Sequence, residues 1–117
     1  MERVPIIKIG PTLFVSIQFD LEDESVMLLQ EDLADQLTAT GASGVIIDIT
    51  AVEIVDSFIS RMLTMIGSIS RLFDAETVIV GMRPAVAITL TELGLSLRGV
   101  RTALNAEKGL QLLRGSP

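Results

Sequence analysis

The stretch GVIIDITAVEIVDSFISRMLTMIGSISRLFDAETVIVG (residues 44–81) decides the fold class of this chain. It begins and ends with short runs rich in Ile and Val, at 44–50 and 77–81, which are typical of strands covered on both faces. Between them, apolar residues recur every three or four positions from Phe58 to Phe73, which predicts an amphipathic helix. A strand, a helix and a second strand in this order predict a right-handed crossover between parallel strands, and hence an α/β fold.

Further elements are predicted before this unit. The segments VPIIKIG (4–10) and TLFVSIQF (12–19) alternate in hydropathy on either side of Gly10-Pro11, which predicts an antiparallel hairpin. From residue 22 to about residue 40 apolar residues recur at helical spacing, and Gly41 is a suitable helix end.

Three shorter elements are expected after it: a helix at 85–93, a short strand at 100–103 and a last helix at 106–113. The whole chain, residues 1–117, is therefore predicted to be a single α/β domain. Its sheet should be mixed but mostly parallel, with an N-terminal antiparallel hairpin and about four helices.

Composition excludes several classes of function. Hydrophobic residues make up 49% of the chain, yet no uncharged apolar run approaches the ~20 residues of a membrane span. The start MERVPIIKIG is unlike a secretory signal, so we expect a cytoplasmic protein. The chain lacks cysteine and histidine, which argues against metal binding, cofactors and most enzyme designs. Its net charge of −6 and scattered basic residues argue against nucleic acid as a partner.

The neighbours Asp56 and Ser57 stand at the head of the central predicted helix. Either residue is a good N-cap, because its side-chain oxygen can accept from a free N–H of the first helical turn. Alternatively Ser57 is a modified residue, since a helix N-terminus favours the negative charge of a phosphate and Arg61 lies one turn further on. Spacing alone leaves both interpretations open.

Several of these features together resemble the STAS domain, the fold of the anti-sigma factor antagonists. They are the initial hairpin, the strand VIIDIT, the sequence DSF at a helix start and the later loop VIVGMRP. In that family a serine or threonine beside an aspartate at this helix start is the regulatory phosphorylation site, so the resemblance implies that Ser57 is the phosphoacceptor. It further implies that Asp56, Phe58, Ile59 and Arg61 lie on the surface that a kinase reads.

Within the family, the bare domain and the segment IVDSFISRM most resemble the RsbS-type scaffold of the bacterial stressosome. This implies a non-enzymatic, self-associating scaffold with an RsbT-type serine kinase, RsbR-type STAS co-antagonists and a resetting phosphoserine phosphatase as partners. The kinase would be held until Ser57 is phosphorylated. The alternative is a stand-alone anti-sigma factor antagonist, but such antagonists usually have Gly after the serine, where this chain has Phe58.

Two other interpretations fit the sequence less well. A receiver domain would use Asp48 as its phosphoacceptor, but the acidic pair after the first strand and the lysine after a late strand are missing. Asp48 is better explained as a residue that caps a strand end or bonds a neighbouring backbone N–H. A hydrolase built on Ser57 would need a general base, and no histidine exists to supply it. In the GMRP loop, Arg83 is either a solvated side chain or part of the surface around Ser57.

Overall fold

Within the residues that the structure describes, five strands and four helices follow one another in the predicted order. The computed structural model describes residues 3–18, 21–53, 56–92 and 99–114. The elements are β1 (Ile6–Ile9), β2 (Thr12–Ser16), α1 (Asp23–Thr40), β3 (Gly44–Asp48), α2 (Ser57–Leu72), β4 (Glu76–Val80), α3 (Pro84–Glu92), β5 (Val100–Ala103) and α4 (Ala106–Leu113). The fold prediction is confirmed, with bounds that differ by up to three residues; the predicted ends at positions 19 and 93 lie outside the described residues.

The strands form one mixed sheet in the spatial order β1-β2-β3-β4-β5. β1 is antiparallel to β2, and the other three pairings are parallel. Gly10 makes the turn between β1 and β2 with a φ of 58°, a left-handed conformation that glycine adopts without steric penalty. The predicted antiparallel hairpin on a mostly parallel sheet is therefore confirmed.

Helices cover both faces of this sheet. Leu33 of α1, Leu63 of α2 and Leu90 of α3 all belong to the main core cluster on one face. The other face carries a smaller cluster, in which Leu110 and Leu113 of α4 pack against strand residues. Successive side chains in the middle of β3 alternate between the two clusters, with Val45 and Ile47 in the main cluster and Ile46 in the smaller one, so these three residues are all apolar, as expected for a strand between two helical layers.

The parallel strands also decide where a functional site can form. Their carboxyl ends lie at one edge of the sheet, and the loops after β3 and β4 meet there before α2 and α3 begin. Asp56 and Ser57 stand at the end of the first of these loops, and Arg83 stands in the second. Among the described residues, no helix is long and apolar enough to cross a membrane.

Candidate functional site

Asp56 is the N-cap of α2. Its backbone is extended, with φ −120° and ψ −174°, and its side chain accepts a hydrogen bond from the backbone N–H of Ile59. The donor–acceptor distance is 3.0 Å. This bond satisfies one of the N–H groups that a first helical turn leaves free. The structure thus answers the question that spacing left open: the aspartate caps the helix, and the serine does not.

Ser57 is the first residue of α2, and its side chain is exposed. Within the part of the chain that the structure describes, no side-chain hydrogen bond involves the Ser57 hydroxyl. Arg61 lies four residues later, is likewise exposed, and therefore lies on the same side of the helix. The hydroxyl is thus accessible to a reagent from solvent, at the positive end of a helix dipole.

Replacing Asp56 with alanine is expected to lower the free energy of unfolding by about 1 kcal/mol, because the cap bond to Ile59 is lost. Asp56→Asn is the matched control, since its amide oxygen can accept the same bond; it should retain most of the stability. Urea denaturation monitored by circular dichroism measures the free energy of unfolding of both variants. Equal midpoints for the alanine variant and the parent chain would show that the cap bond contributes nothing.

Phe58 and Ile59, predicted to lie on the partner surface, are half-buried rather than fully exposed. Both side chains pack against the main core cluster. Each therefore anchors the first turn of α2 to the core and presents only part of its surface beside Ser57. Methionines further along the helix divide between the two environments, since Met62 is buried and Met65 is 43% exposed.

Arg83 ties the loop after β4 to the loop after β3. Its Nε donates to the carbonyl oxygen of Thr50 at 2.8 Å. Its guanidinium also lies 3.8 Å from the Glu53 carboxylate. Both groups are largely exposed, so this ion pair adds little stability and the hydrogen bond matters more. Arg83 therefore supports the loop that leads to Ser57, a role that its loop position alone does not reveal.

A second set of contacts holds the start of the loop after β3. The Asp48 carboxylate accepts from the backbone N–H of Thr50 at 2.8 Å and from the Thr50 hydroxyl at 2.5 Å. Of the two interpretations of Asp48, the bond to a neighbouring backbone N–H is confirmed. Gly81 passes so close that a Cβ at this position would overlap the Thr50 hydroxyl. Thr50 therefore contacts Asp48, Arg83 and Gly81, and no pattern in the local sequence indicates this role.

Among the described residues, no group of three acidic, cysteine or histidine side chains could hold a metal ion. This edge of the sheet instead has an exposed hydroxyl, a capped helix N-terminus and two loops that Arg83 joins by a hydrogen bond. These features leave one hydroxyl, that of Ser57, exposed at a helix N-terminus that another residue already caps.

Comparison with known proteins gives the site a context. The family model described as "STAS domain" matches residues 3–107. Two RsbT co-antagonist proteins of Bacillus subtilis (strain 168) are related in sequence. RsbRA is 30% identical over 91 residues, and RsbRD is 29% identical over 91 residues. Each match covers 78% of this chain, which spans only about a third of either relative, 33%.

Solved structures extend the comparison over nearly the whole chain. A serine-to-glutamate variant of RsbS from Moorella thermoacetica is 45% identical, with a TM-score of 0.81, and the match covers 96% of this chain and 95% of that one. A chain from a study of the molecular architecture of the stressosome is also 45% identical, with a TM-score of 0.82 and coverage of 95% and 96%. The anti-sigma factor antagonist SpoIIAA, at 13% identity and a TM-score of 0.74, shares the fold.

Proposed function

This chain belongs to the STAS domain family, and on that premise we propose that it is a non-enzymatic scaffold of a bacterial stress-signalling complex, the stressosome. In this proposal it holds an RsbT-type serine kinase until the kinase phosphorylates Ser57. The observation that carries the proposal is the exposed Ser57 hydroxyl at the start of α2, beside an aspartate that already caps the helix.

The cap makes Ser57 a suitable phosphoacceptor. Because Asp56 supplies the bond to Ile59, a phosphate on Ser57 breaks no hydrogen bond of the helix. The phosphate would add a charge of roughly −1.5 to −2 where the helix dipole favours an anion. Arg61, one turn later, is placed to offer a charge-assisted contact.

The same charge would change what the surface binds. A kinase holding a nucleotide brings further phosphate groups to Ser57, and Asp56 is already negative beside it. New like charges at this point weaken the complex, and about 1.4 kcal/mol of lost affinity is a tenfold rise in Kd. Phosphorylation would therefore release the kinase by a local change of charge, with the fold intact.

The relatives support the proposed partners. Proteins named RsbT co-antagonists share sequence with this chain, and a 45% identical chain comes from a stressosome study. The serine-to-glutamate substitution in the Moorella RsbS also replaces a hydroxyl with a negative charge, as phosphorylation does. On this basis the partners would be an RsbT-type kinase, RsbR-type co-antagonists, further copies of this chain and a resetting phosphoserine phosphatase, all in the cytoplasm.

Incubation of the full chain with the RsbT-type kinase of the same genome and ATP tests the proposal. We expect mass spectrometry of the intact protein to show one added phosphate, and digestion to place it on Ser57. The Ser57→Ala variant should bind the kinase without accepting phosphate. Phosphate on Thr50 or Ser60 with none on Ser57 would contradict the site assignment.

The alternative function is that of a stand-alone anti-sigma factor antagonist, and particle size distinguishes the two. A scaffold mixed with an RsbR-type protein should elute from a sizing column far above monomer mass. An antagonist should remain small and form a complex with one anti-sigma kinase. The likeness to a stressosome chain at 45% identity, against 13% to SpoIIAA, favours the scaffold.

A further inference from the structure

One side of α2 is exposed along the whole helix, beginning at Ser57. Its exposed residues recur at three- or four-residue spacing, which places them in a single stripe: Ser57, Arg61, Met65, Ser68 and Leu72. Two of the five are large apolar side chains that the fold leaves in solvent, Met65 at 43% and Leu72 at 83% exposure. We call these five residues the α2 stripe.

The segment that forms the neighbouring helix α1, residues 22–40, accounts for the negative net charge of the chain. Six of the fifteen acidic residues and none of the nine basic ones lie between positions 22 and 40, so the remainder of the chain has nine of each. Five of the six belong to α1 itself: Asp23, Glu24, Glu31, Asp32 and Asp35. Only Asp32 has an ion-pair partner among the described residues, Arg3 at 3.8 Å. The outer surface of α1 is therefore strongly acidic.

An exposed methionine lies within this acidic surface. Met27 is 60% exposed, and Asp23 and Glu31 lie one helical turn before and after it, both exposed. Methionine is unbranched and polarizable, so it adapts to different partner surfaces. An apolar anchor between carboxylates is complementary to a partner that has an apolar pocket with basic residues around it.

The acidic surface and the α2 stripe are continuous. The side-chain amide of Gln30, on α1, contacts the sulfur of Met65 on α2, and Met27 lies one turn before Gln30. Both helices follow parallel strands, so their N-termini lie at the same edge of the sheet. The first acidic turn of α1 and Ser57 therefore lie at the same end of the molecule.

We propose that the kinase docks on one continuous surface made of the α2 stripe and the acidic outer side of α1, with Met27 and Met65 as apolar anchors and a basic surface on the kinase facing Glu24 and Glu31. This inference rests on the proposed function, since it concerns the partner that phosphorylates Ser57. It adds where that partner is held and which surface chemistry it must have.

The size of a protein interface supports this extension beyond Ser57. A specific interface buries about 800 Å² on each partner, which corresponds to a patch roughly 16 Å in radius. Met65 lies eight residues along α2 from Ser57, or roughly 12 Å along the axis. A packed neighbouring helix has its axis about 8–10 Å away. An interface of ordinary size centred on Ser57 would therefore extend to Met65 and to α1.

The docking surface and the phosphate act differently in this scheme. Acidic residues spread over α1 attract a basic partner during approach, which raises the association rate and depends on salt. The phosphate acts at contact distance, against the nucleotide phosphates bound beside Ser57. Variants of the docking surface should therefore weaken binding of the kinase both to the unmodified chain and to Ser57→Glu.

Binding kinetics of the RsbT-type kinase on the immobilised full chain, at low and high salt, test the proposal. Glu31→Lys should slow association roughly three- to tenfold at low salt, with a smaller difference at high salt. Glu107→Lys is the matched control, because it makes the same charge change on α4, which covers the opposite face of the sheet. The double variant Met27→Ala/Met65→Ala should dissociate about tenfold faster, and Leu112→Ala on α4 about as fast as the parent chain.

The outcomes separate this inference from the proposed function. If the parent chain does not bind the kinase at all, the proposed function fails. If the parent binds but Glu31→Lys and Glu107→Lys slow association equally, the charge acts through the whole molecule, and the docking surface is wrong. The inference is also overturned if the methionine variant binds the kinase as the parent does but no longer assembles with an RsbR-type protein. Circular dichroism of each variant confirms that the fold is retained.

Discussion

The Gly81→Ala variant is expected to lose about 2–4 kcal/mol of unfolding free energy, because two separate costs combine at this position. Gly81 has a φ of 76°, a left-handed conformation that costs an alanine roughly 1–2 kcal/mol. In addition, the new Cβ would overlap the Thr50 hydroxyl and lie 3.0 Å from an Asp48 carboxylate oxygen. Urea denaturation measures the loss.

Gly41→Ala separates the two costs. Gly41 also has a positive φ, 64°, but a Cβ there would have nothing within 4 Å. It should therefore show only the conformational part, about 1–2 kcal/mol. Equal losses in the two variants would mean that Thr50 gives way freely, and that the close contact between the loops is unimportant.

The Gly81→Ala substitution should also disturb the candidate site. Relief of the overlap requires movement of Thr50, which bonds Asp48 through its hydroxyl and Arg83 through its carbonyl oxygen. These contacts fix the loop that leads into α2. We therefore expect Gly81→Ala to slow phosphorylation of Ser57 under conditions where the variant is folded, whereas Gly41→Ala should not.

The Leu63→Ala variant has the largest expected effect on stability, a loss of about 2–5 kcal/mol. Leu63 is fully buried, at 0% exposure, on the side of α2 that packs against the sheet. Its removal leaves a cavity that the neighbouring side chains refill only in part. Because small domains have only about 5–15 kcal/mol of stability, the midpoint of urea denaturation should fall by a large fraction.

Leu72→Ala makes the same chemical change on the same helix. Leu72 is 83% exposed, so its loss should alter stability by no more than about 0.5 kcal/mol. Similar midpoints for the two variants would contradict the burial that the structure assigns to α2.

Much of the fold is predictable because the signals are local. Alternating segments predict the hairpin strands, short runs rich in Ile and Val predict the central strands, and the apolar repeat from Phe58 to Phe73 predicts α2. Gly41 does end α1, with a φ of 64° and its N–H bonded to the Leu37 carbonyl oxygen. The face of the sheet that each helix covers is harder to predict: among the described helices, α4 alone packs against the smaller cluster, and an apolar repeat does not indicate which face its helix will cover.

The candidate site is predictable only in part. Position identifies Asp56 and Ser57, but either side chain can cap a helix, so three-dimensional geometry is needed to assign the bond to Asp56. Arg83 bonds a carbonyl oxygen 33 residues earlier in the chain, a contact that no local pattern encodes. Met62 and Met65 differ in environment because three residues are less than a full helical turn, so the two side chains point in different directions, one into the core and one toward solvent.

The cap supplied by Asp56 has a consequence for repeated signalling. Since the backbone hydrogen bonds of α2 do not depend on the Ser57 side chain, the phosphorylation proposed for Ser57 could be made and reversed many times on the same molecule. In the proposed cycle, each round would consume one ATP and require neither refolding nor newly synthesised protein.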